Sequence, residues 1–153
     1  MRLAVSPLRQ NEDSFLCRIK TANRLLYELT YIQAKKKGFD GSVILNSSGY
    51  IAEGTRSNIF FVKDDALFTP SLSCGCLDGV TRRVVFSLAK KYKIQVYEGN
   101  FILRDLLEAE EAFLTNSLVG IMPVASVDNK SIGKAKCRKL TESLIKRYNC
   151  LLR

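Results

Sequence analysis

Short β-branched runs alternate with amphipathic helical stripes along this chain, and no segment repeats another. That alternation restricts it to helices flanking a mixed sheet, an α/β or α+β fold. Ala22, Leu25, Leu26, Leu29 and Ile32 recur at the spacing of one helical face. Thr21 is placed to cap that helix, Lys35, Lys36 and Lys37 suit its C-terminal dipole, and Gly38 suits its stop. Val43-Ile44-Leu45, the turn signal Asn46-Ser47-Ser48-Gly49 and Tyr50-Ile51-Ala52 read as a strand, a tight turn and a returning strand. Residues 58–62 give the next strand, and Asp64-Asp65 turns the chain into Ala66-Leu67-Phe68, which Pro70 ends. Residues 79–92 read as a helix with Val84, Val85, Leu88, Ala89 and Tyr92 on one face and Asp78 as its cap. Residues 94–97 alternate as a strand, 103–108 form a short helix, and 112–115 and 121–124 are strands around a polar turn. Cys137, Leu140, Leu144, Ile145 and Tyr148 mark a last amphipathic helix. Residues 1–19, with Pro7 and the polar run 9–14, read as an irregular connecting segment, and residues 20–153 as one domain.

At 153 residues the chain can bury a core without disulfides or metals. An apolar share of 46% and a charged share of 25% exclude the disordered, collagen-like and low-complexity classes. No stretch approaches the ~18 uncharged apolar residues of a membrane-spanning helix, so no membrane partner is expected. A net charge of +9 suits an anionic ligand or an acidic partner. The basic clusters at 35–37 and 134–139 lack interleaved aromatic residues, so no nucleic-acid partner is expected. Histidine is absent, which removes Ser-His-Asp and Cys-His catalysis and His-based metal sites from the chain's own repertoire. Acid–base chemistry then falls to Lys, Tyr, Cys or a carboxylate. Five cysteines, an odd number, and a start without a signal peptide suggest free thiols in a cytoplasmic setting. Cys74-Gly75-Cys76 lacks both zinc spacing and a second pair, so no metal is expected.

Four places carry groups suited to chemistry. Lys20 lies among apolar residues just before a helix, where desolvation and nearby cations would make its amine a better nucleophile; an ordinary solvated lysine is the competing explanation. Glu53 and Gly54 end a strand, where a carboxylate can face a cationic atom or merely enter a turn. Gly79-Val80-Thr81-Arg82 opens a helix, whose free N–H groups and dipole favour an anion. Arg82 and Arg83 oppose that dipole, so they either meet a bound anion or point into water. Thr115-Asn116-Ser117 offers further donors, or is simply a turn. Together, an amine, a carboxylate and two donor loops are the groups that pyridoxal phosphate needs: a partner for its aldehyde, one for its ring nitrogen, and a cradle for its phosphate.

The segments Lys20-Thr21-Ala22-Asn23-Arg24-Leu25, Gly49 to Phe60 with Glu53-Gly54-Thr55-Arg56-Ser57-Asn58, Thr69-Pro70, Gly75 to Arg82 with Gly79-Val80-Thr81-Arg82, and Ala112 to Ser117 occur in the order found in one family. The chain resembles the fold-type IV, class IV aminotransferase group of pyridoxal phosphate enzymes, over roughly residues 1–130. That group holds branched-chain aminotransferase, D-amino acid aminotransferase and 4-amino-4-deoxychorismate lyase. The resemblance implies the C-terminal domain of such enzymes, a mixed sheet or pseudo-barrel with flanking helices. It implies that Lys20 is the Schiff-base lysine and proton shuttle, that Glu53 pairs with the pyridinium nitrogen, and that Leu77 packs on the ring. Val80, Thr81 and Ser117 would hold the phosphate, and Arg24 would lie near the cofactor hydroxyl. Asn116-Ser117-Leu118-Val119-Gly120-Ile121-Met122-Pro123-Val124 is most similar to the lyase pattern. The main expectation is therefore a lyase-like domain of folate biosynthesis, releasing pyruvate from 4-amino-4-deoxychorismate to leave 4-aminobenzoate. The alternatives are a class IV aminotransferase of branched-chain or D-amino acid type, and a non-catalytic remnant. Family members are about twice as long, with a smaller domain ahead of the connecting segment. The expectation is thus a truncated product or one half of a split gene, acting on a small molecule as a homodimer or with a complementary N-terminal chain.

Overall fold

A computed structural model of the chain describes residues 1–133 and 139–152. In chain order the elements are β1 (Arg2–Val5), α1 (Leu25–Lys36), β2 (Gly41–Leu45), β3 (Ile51–Gly54), β4 (Asn58–Lys63), β5 (Ala66–Pro70), α2 (Val80–Lys91) and β6 (Val96–Gly99). There follow α3 (Leu103–Leu107), β7 (Glu111–Asn116), β8 (Gly120–Pro123), β9 (Ser126–Val127), β10 (Lys130–Ser131) and α4 (Lys139–Leu151). Ten strands form two mixed sheets, ordered β10-β9-β1-β2-β3 and β6-β5-β4-β7-β8. The expected mixed α/β class is what the molecule has.

Strand β4 explains the layering. Ile59 and Phe61 point toward the first sheet and pack with Leu3, Val43, Leu45 and Ile51, while Phe60 and Val62 point the other way, under Val85 and Leu88 of α2 and Leu144 and Tyr148 of α4. A strand covered on both faces reads as a continuous apolar run, as residues 59–62 do. The turn into β5 places Asp64 and Asp65 both at positive φ (50° and 57°), the two-residue hairpin geometry that suits right-twisted strands. Buried Glu111 of β7 accepts hydrogen bonds from the Leu140 and Thr141 amides (3.0 and 2.7 Å), so a carboxylate faces the start of α4.

Several expectations fail, each for a local reason. Residues 1–19 are not irregular throughout. Arg2–Val5 is the middle strand of the first sheet, parallel to both β2 and β9. Its partners lie at 41–43 and 126–127, so no hairpin signal announces it. Helix α1 starts at Leu25 with Arg24 at its N-cap and no side-chain cap; the Thr21 hydroxyl accepts from the Asn23 amide instead. The apolar stripe of α1 also faces outward: Leu25, Leu29 and Ile32 are 67%, 41% and 47% exposed, while Thr30 and Ala34 are buried. Gly79, not Asp78, is the N-cap of α2, and the Asp78 carboxylate lies 3.7 Å from Arg82 instead. The strand expected at 94–97 runs from Val96 to Gly99. Cys137 and the basic residues 134–138 lie outside the described residues.

Candidate functional site

The exit of β3, the start of α2, the segment before α1 and the β7–β8 turn converge on one cavity of about 900 Å³. Lys20, Arg24, Glu53, Leu77, Val80, Thr81 and Ser117 all line it, although they are scattered over some hundred positions of sequence. Lys20 is exposed within this cleft, not desolvated as its apolar neighbours suggested.

Glu53 is only 4% exposed, so it is no surface residue entering a turn. Its Oε1 accepts from the Tyr27 hydroxyl at 2.8 Å and its Oε2 from the Leu77 amide at 3.3 Å. Burial pushes its carboxyl up to about 7, against the opposing pull of those two hydrogen bonds and of the Lys20 and Arg24 charges. Tyr27 escaped the sequence analysis. Burial and the Glu53 carboxylate push its phenol well above the ordinary value, so it stays a donor to Glu53. Its oxygen in turn accepts from the Gln10 amide nitrogen at 3.3 Å, which also donates to the Gly75 carbonyl. The available signal was the spacing of Tyr27, Thr30 and Ala34, the inward face of α1.

The α2 start is built to receive an anion. Gly79 caps it without a side chain, so the first-turn amides lack the usual oxygen acceptor. A Cβ at Gly79 would sit 2.2 Å from Asn58 Oδ1, and Asn58 Nδ2 donates to the Leu77 carbonyl at 2.6 Å. The loop is therefore pinned by Asn58 on one side and by Glu53 on the other. In the β7–β8 turn, Asn116 Oδ1 accepts from the Leu118 and Val119 amides (2.9 and 3.0 Å), which fixes the backbone around Ser117. Thr115, buried and lining the same cavity, has a hydroxyl with no hydrogen-bond partner. The two readings of the paired arginines separate here. Arg83 is exposed and lines the cavity, but Arg82 meets neither an anion nor water. It is buried, pairs with Glu98 at 2.5 Å, donates to the Pro70 carbonyl at 3.2 Å and lies 4.8 Å from the Phe86 ring.

An orphaned hydroxyl, an uncapped helix start, a buried carboxylate and an accessible amine in one cavity fit a ligand with an anionic group, a basic ring nitrogen and an electrophilic carbon. Pyridoxal phosphate has all three. Because an unpaired buried hydroxyl costs roughly 1–3 kcal/mol, Thr115→Val should leave the ligand-free chain as stable or more stable in urea unfolding. The same change should weaken pyridoxal phosphate binding about tenfold and leave pyridoxal binding unchanged in absorbance titrations. Equal affinities for pyridoxal phosphate before and after the substitution would remove Thr115 from the cradle.

The family described as Amino-transferase class IV matches residues 1–127. A probable branched-chain-amino-acid aminotransferase of Aquifex aeolicus is 36% identical over 151 residues, 97% of this chain and 49% of that protein. The branched-chain amino acid aminotransferase of Escherichia coli superposes with a TM-score of 0.94 at 31% identity, covering 99% of this chain and 52% of that one. A putative 4-amino-4-deoxychorismate lyase of Legionella pneumophila superposes with a TM-score of 0.92 at 30% identity, over 97% of this chain and 55% of that one. Two further branched-chain aminotransferase structures similar to it (TM-score 0.91, 27% identity) are described with pyridoxamine 5′-phosphate and with N-(5′-phosphopyridoxyl)-L-glutamate. The chain belongs to the class IV aminotransferase family. It spans about half the length of the curated relatives it matches. Among the described residues no helix is long and apolar enough to cross a membrane.

Proposed function

We propose that this chain is the cofactor-binding half of a pyridoxal phosphate enzyme that moves amino groups between amino acids and oxo acids. The observation that carries the reading is the meeting of Lys20, buried Glu53 and the open start of α2 in one cavity. When bound, pyridoxal phosphate supplies an electrophilic aldehyde and a ring that withdraws electrons. The chain's own residues do the rest. Lys20 Nζ holds the aldehyde carbon and moves the substrate α-proton. Tyr27 and the Leu77 amide each occupy one Glu53 oxygen, which fixes the carboxylate and leaves lone pairs for a protonated ring nitrogen. The first-turn amides at Val80 and Thr81, with the Thr81 and Ser117 hydroxyls, receive the phosphate. Leu77 packs on the ring and Arg24 meets its hydroxyl. In this reading residues 1–19 are the joint to a preceding domain, with strand β1 built into the sheet. A second copy, or a chain carrying that domain, completes the substrate pocket.

The lyase expectation becomes the second reading. The names of the relatives favour amino-group transfer. What still speaks for elimination is the Asn116 to Val124 segment and the likeness to the Legionella protein. Incubation with pyridoxal phosphate and paired amino and oxo acids separates the two. Transfer that requires an oxo acid supports the first reading. Pyruvate and 4-aminobenzoate formed from 4-amino-4-deoxychorismate without any oxo acid would replace it with the second.

A further inference from the structure

Two charged groups in the cavity are left over once the cofactor contacts are assigned. Arg56, in the tight link between β3 and β4, lines the cavity and is 46% exposed. Its Nη2 donates to Glu28 Oε2 at 2.6 Å, and its guanidinium carbon lies 4.3 Å from the centre of the Tyr31 ring. The other Glu28 oxygen is 4.0 Å from Arg24 Nε, and the Arg24 guanidinium lies over Tyr27 at 5.3 Å. One carboxylate therefore holds two guanidiniums and offsets the charge of only one. The Arg56 backbone is fixed too, because Asn116 Nδ2 donates to its carbonyl at 3.3 Å and the Gly54 amide bonds to the Ser57 carbonyl at 2.7 Å.

Resting on the function proposed above, we infer that Arg56 and Arg24 form a subsite for a second carboxylate, so that the substrate is a dicarboxylic acid. A planar guanidinium fork matches a carboxylate in shape as well as charge. Stacking on tyrosine and pairing with Glu28 hold both forks in place before the ligand arrives, which lowers the entropic cost of binding. A branched aliphatic side chain at the same place would strip water from the arginines and return no hydrogen bond. The cavity is thus matched to an acidic side chain and mismatched to an apolar one of equal size.

Succinate and 4-methylvaleric acid test this, since a carboxylate in one replaces an isopropyl group of similar shape in the other. Their dissociation constants are measured by calorimetry on the chain with and without pyridoxal phosphate. The chain should bind succinate at least about tenfold more tightly than 4-methylvaleric acid, the yield of one charge-assisted pair at a half-exposed site. Arg56→Leu should remove that preference while changing 4-methylvaleric acid binding by less than about twofold, and Arg56→Lys should keep part of it, with charge but no fork. The inference falls if 4-methylvaleric acid binds as tightly, if neither acid binds, or if Arg56→Leu weakens both equally, the mark of a merely structural role. It also falls if Arg56→Leu lowers affinity for pyridoxal phosphate but not the preference for succinate, because the arginine then serves the phosphate. Absence of a Lys20-dependent absorbance band in the same samples counts against the proposed function instead. The succinate preference of the cofactor-free chain bears on the arginines alone.

Discussion

Lys20→Ala should abolish the absorbance band that pyridoxal phosphate acquires near the visible edge when an amine holds it, and should lower turnover about 10³-fold or more. The argument is one of elimination as well as position. Holding the aldehyde takes a primary amine, and Lys20 is the one lysine among the residues lining the cavity. The nearby cations Arg18, Arg24, Arg56 and Arg83 are guanidiniums, which stay protonated and do not substitute. Loss of nucleophile and proton carrier in one change accounts for the size of the effect, since acid–base assistance alone is worth about 10²–10⁴-fold. Stability should hardly move, within about 0.5 kcal/mol in urea unfolding, because the side chain is exposed and packs on nothing it must support. A band that persists in Lys20→Ala would assign the amine elsewhere.

Glu53→Gln should have the second large effect, with opposite signs for stability and for cofactor use. The ordinary carboxyl value is 4.5 and burial raises Glu53 to about 7. Below about pH 4.5 the group is neutral folded or unfolded and contributes no slope. Between 4.5 and 7 the unfolded chain ionises while the folded chain holds its proton, so stability falls as pH rises, by up to about 3 kcal/mol in total. Above 7 both states are ionised and the penalty is constant. Glu53→Gln removes this pH dependence. It also leaves the Leu77 amide facing a weaker partner, at a cost of about 1 kcal/mol, so the substituted chain should still be the more stable one above pH 7. A protonated ring nitrogen placed against Glu53 supplies the missing counter-charge, so saturating pyridoxal phosphate should flatten the wild-type slope. Pyridoxal phosphate should in turn bind more weakly to Glu53→Gln. Urea unfolding from pH 4 to 8, with and without cofactor, checks all three statements. A wild-type profile that pyridoxal phosphate leaves unchanged would mean that the carboxylate does not face the ring.

The sequence carried the site's backbone frame better than its side-chain environment. The hairpin at Asn46–Gly49, the start of α2 at Gly79 and the Ala112–Thr115 strand were legible because turn residues and local periodicity mark them. Strand β1 was not, because its pairing is parallel and its partners lie some forty and more than a hundred residues away. The apolar stripe of α1 was real but misassigned. Periodicity reports that a helix has an apolar face, and does not say whether that face meets this chain's own core. Here Thr30 and Ala34 face β2 and the leucines face outward, which the small size of the inward residues makes possible by letting the helix approach the sheet. Tyr27 and Gln10 belong to the carboxylate's support, and nothing in their local sequence distinguishes them from ordinary polar residues. Arg82 was ambiguous because its partner Glu98 arrives on β6 through a parallel pairing with β5. In each case the missing information was a contact distant in sequence, and a polar residue's role depends on such contacts.

The most direct measurement is borohydride reduction of the chain loaded with pyridoxal phosphate, followed by peptide mass spectrometry. The account predicts one phosphopyridoxyl modification, at Lys20, that disappears when Glu53→Gln and Thr115→Val are combined at limiting cofactor. Modification spread over the surface lysines, or concentrated on any lysine other than Lys20, would contradict it.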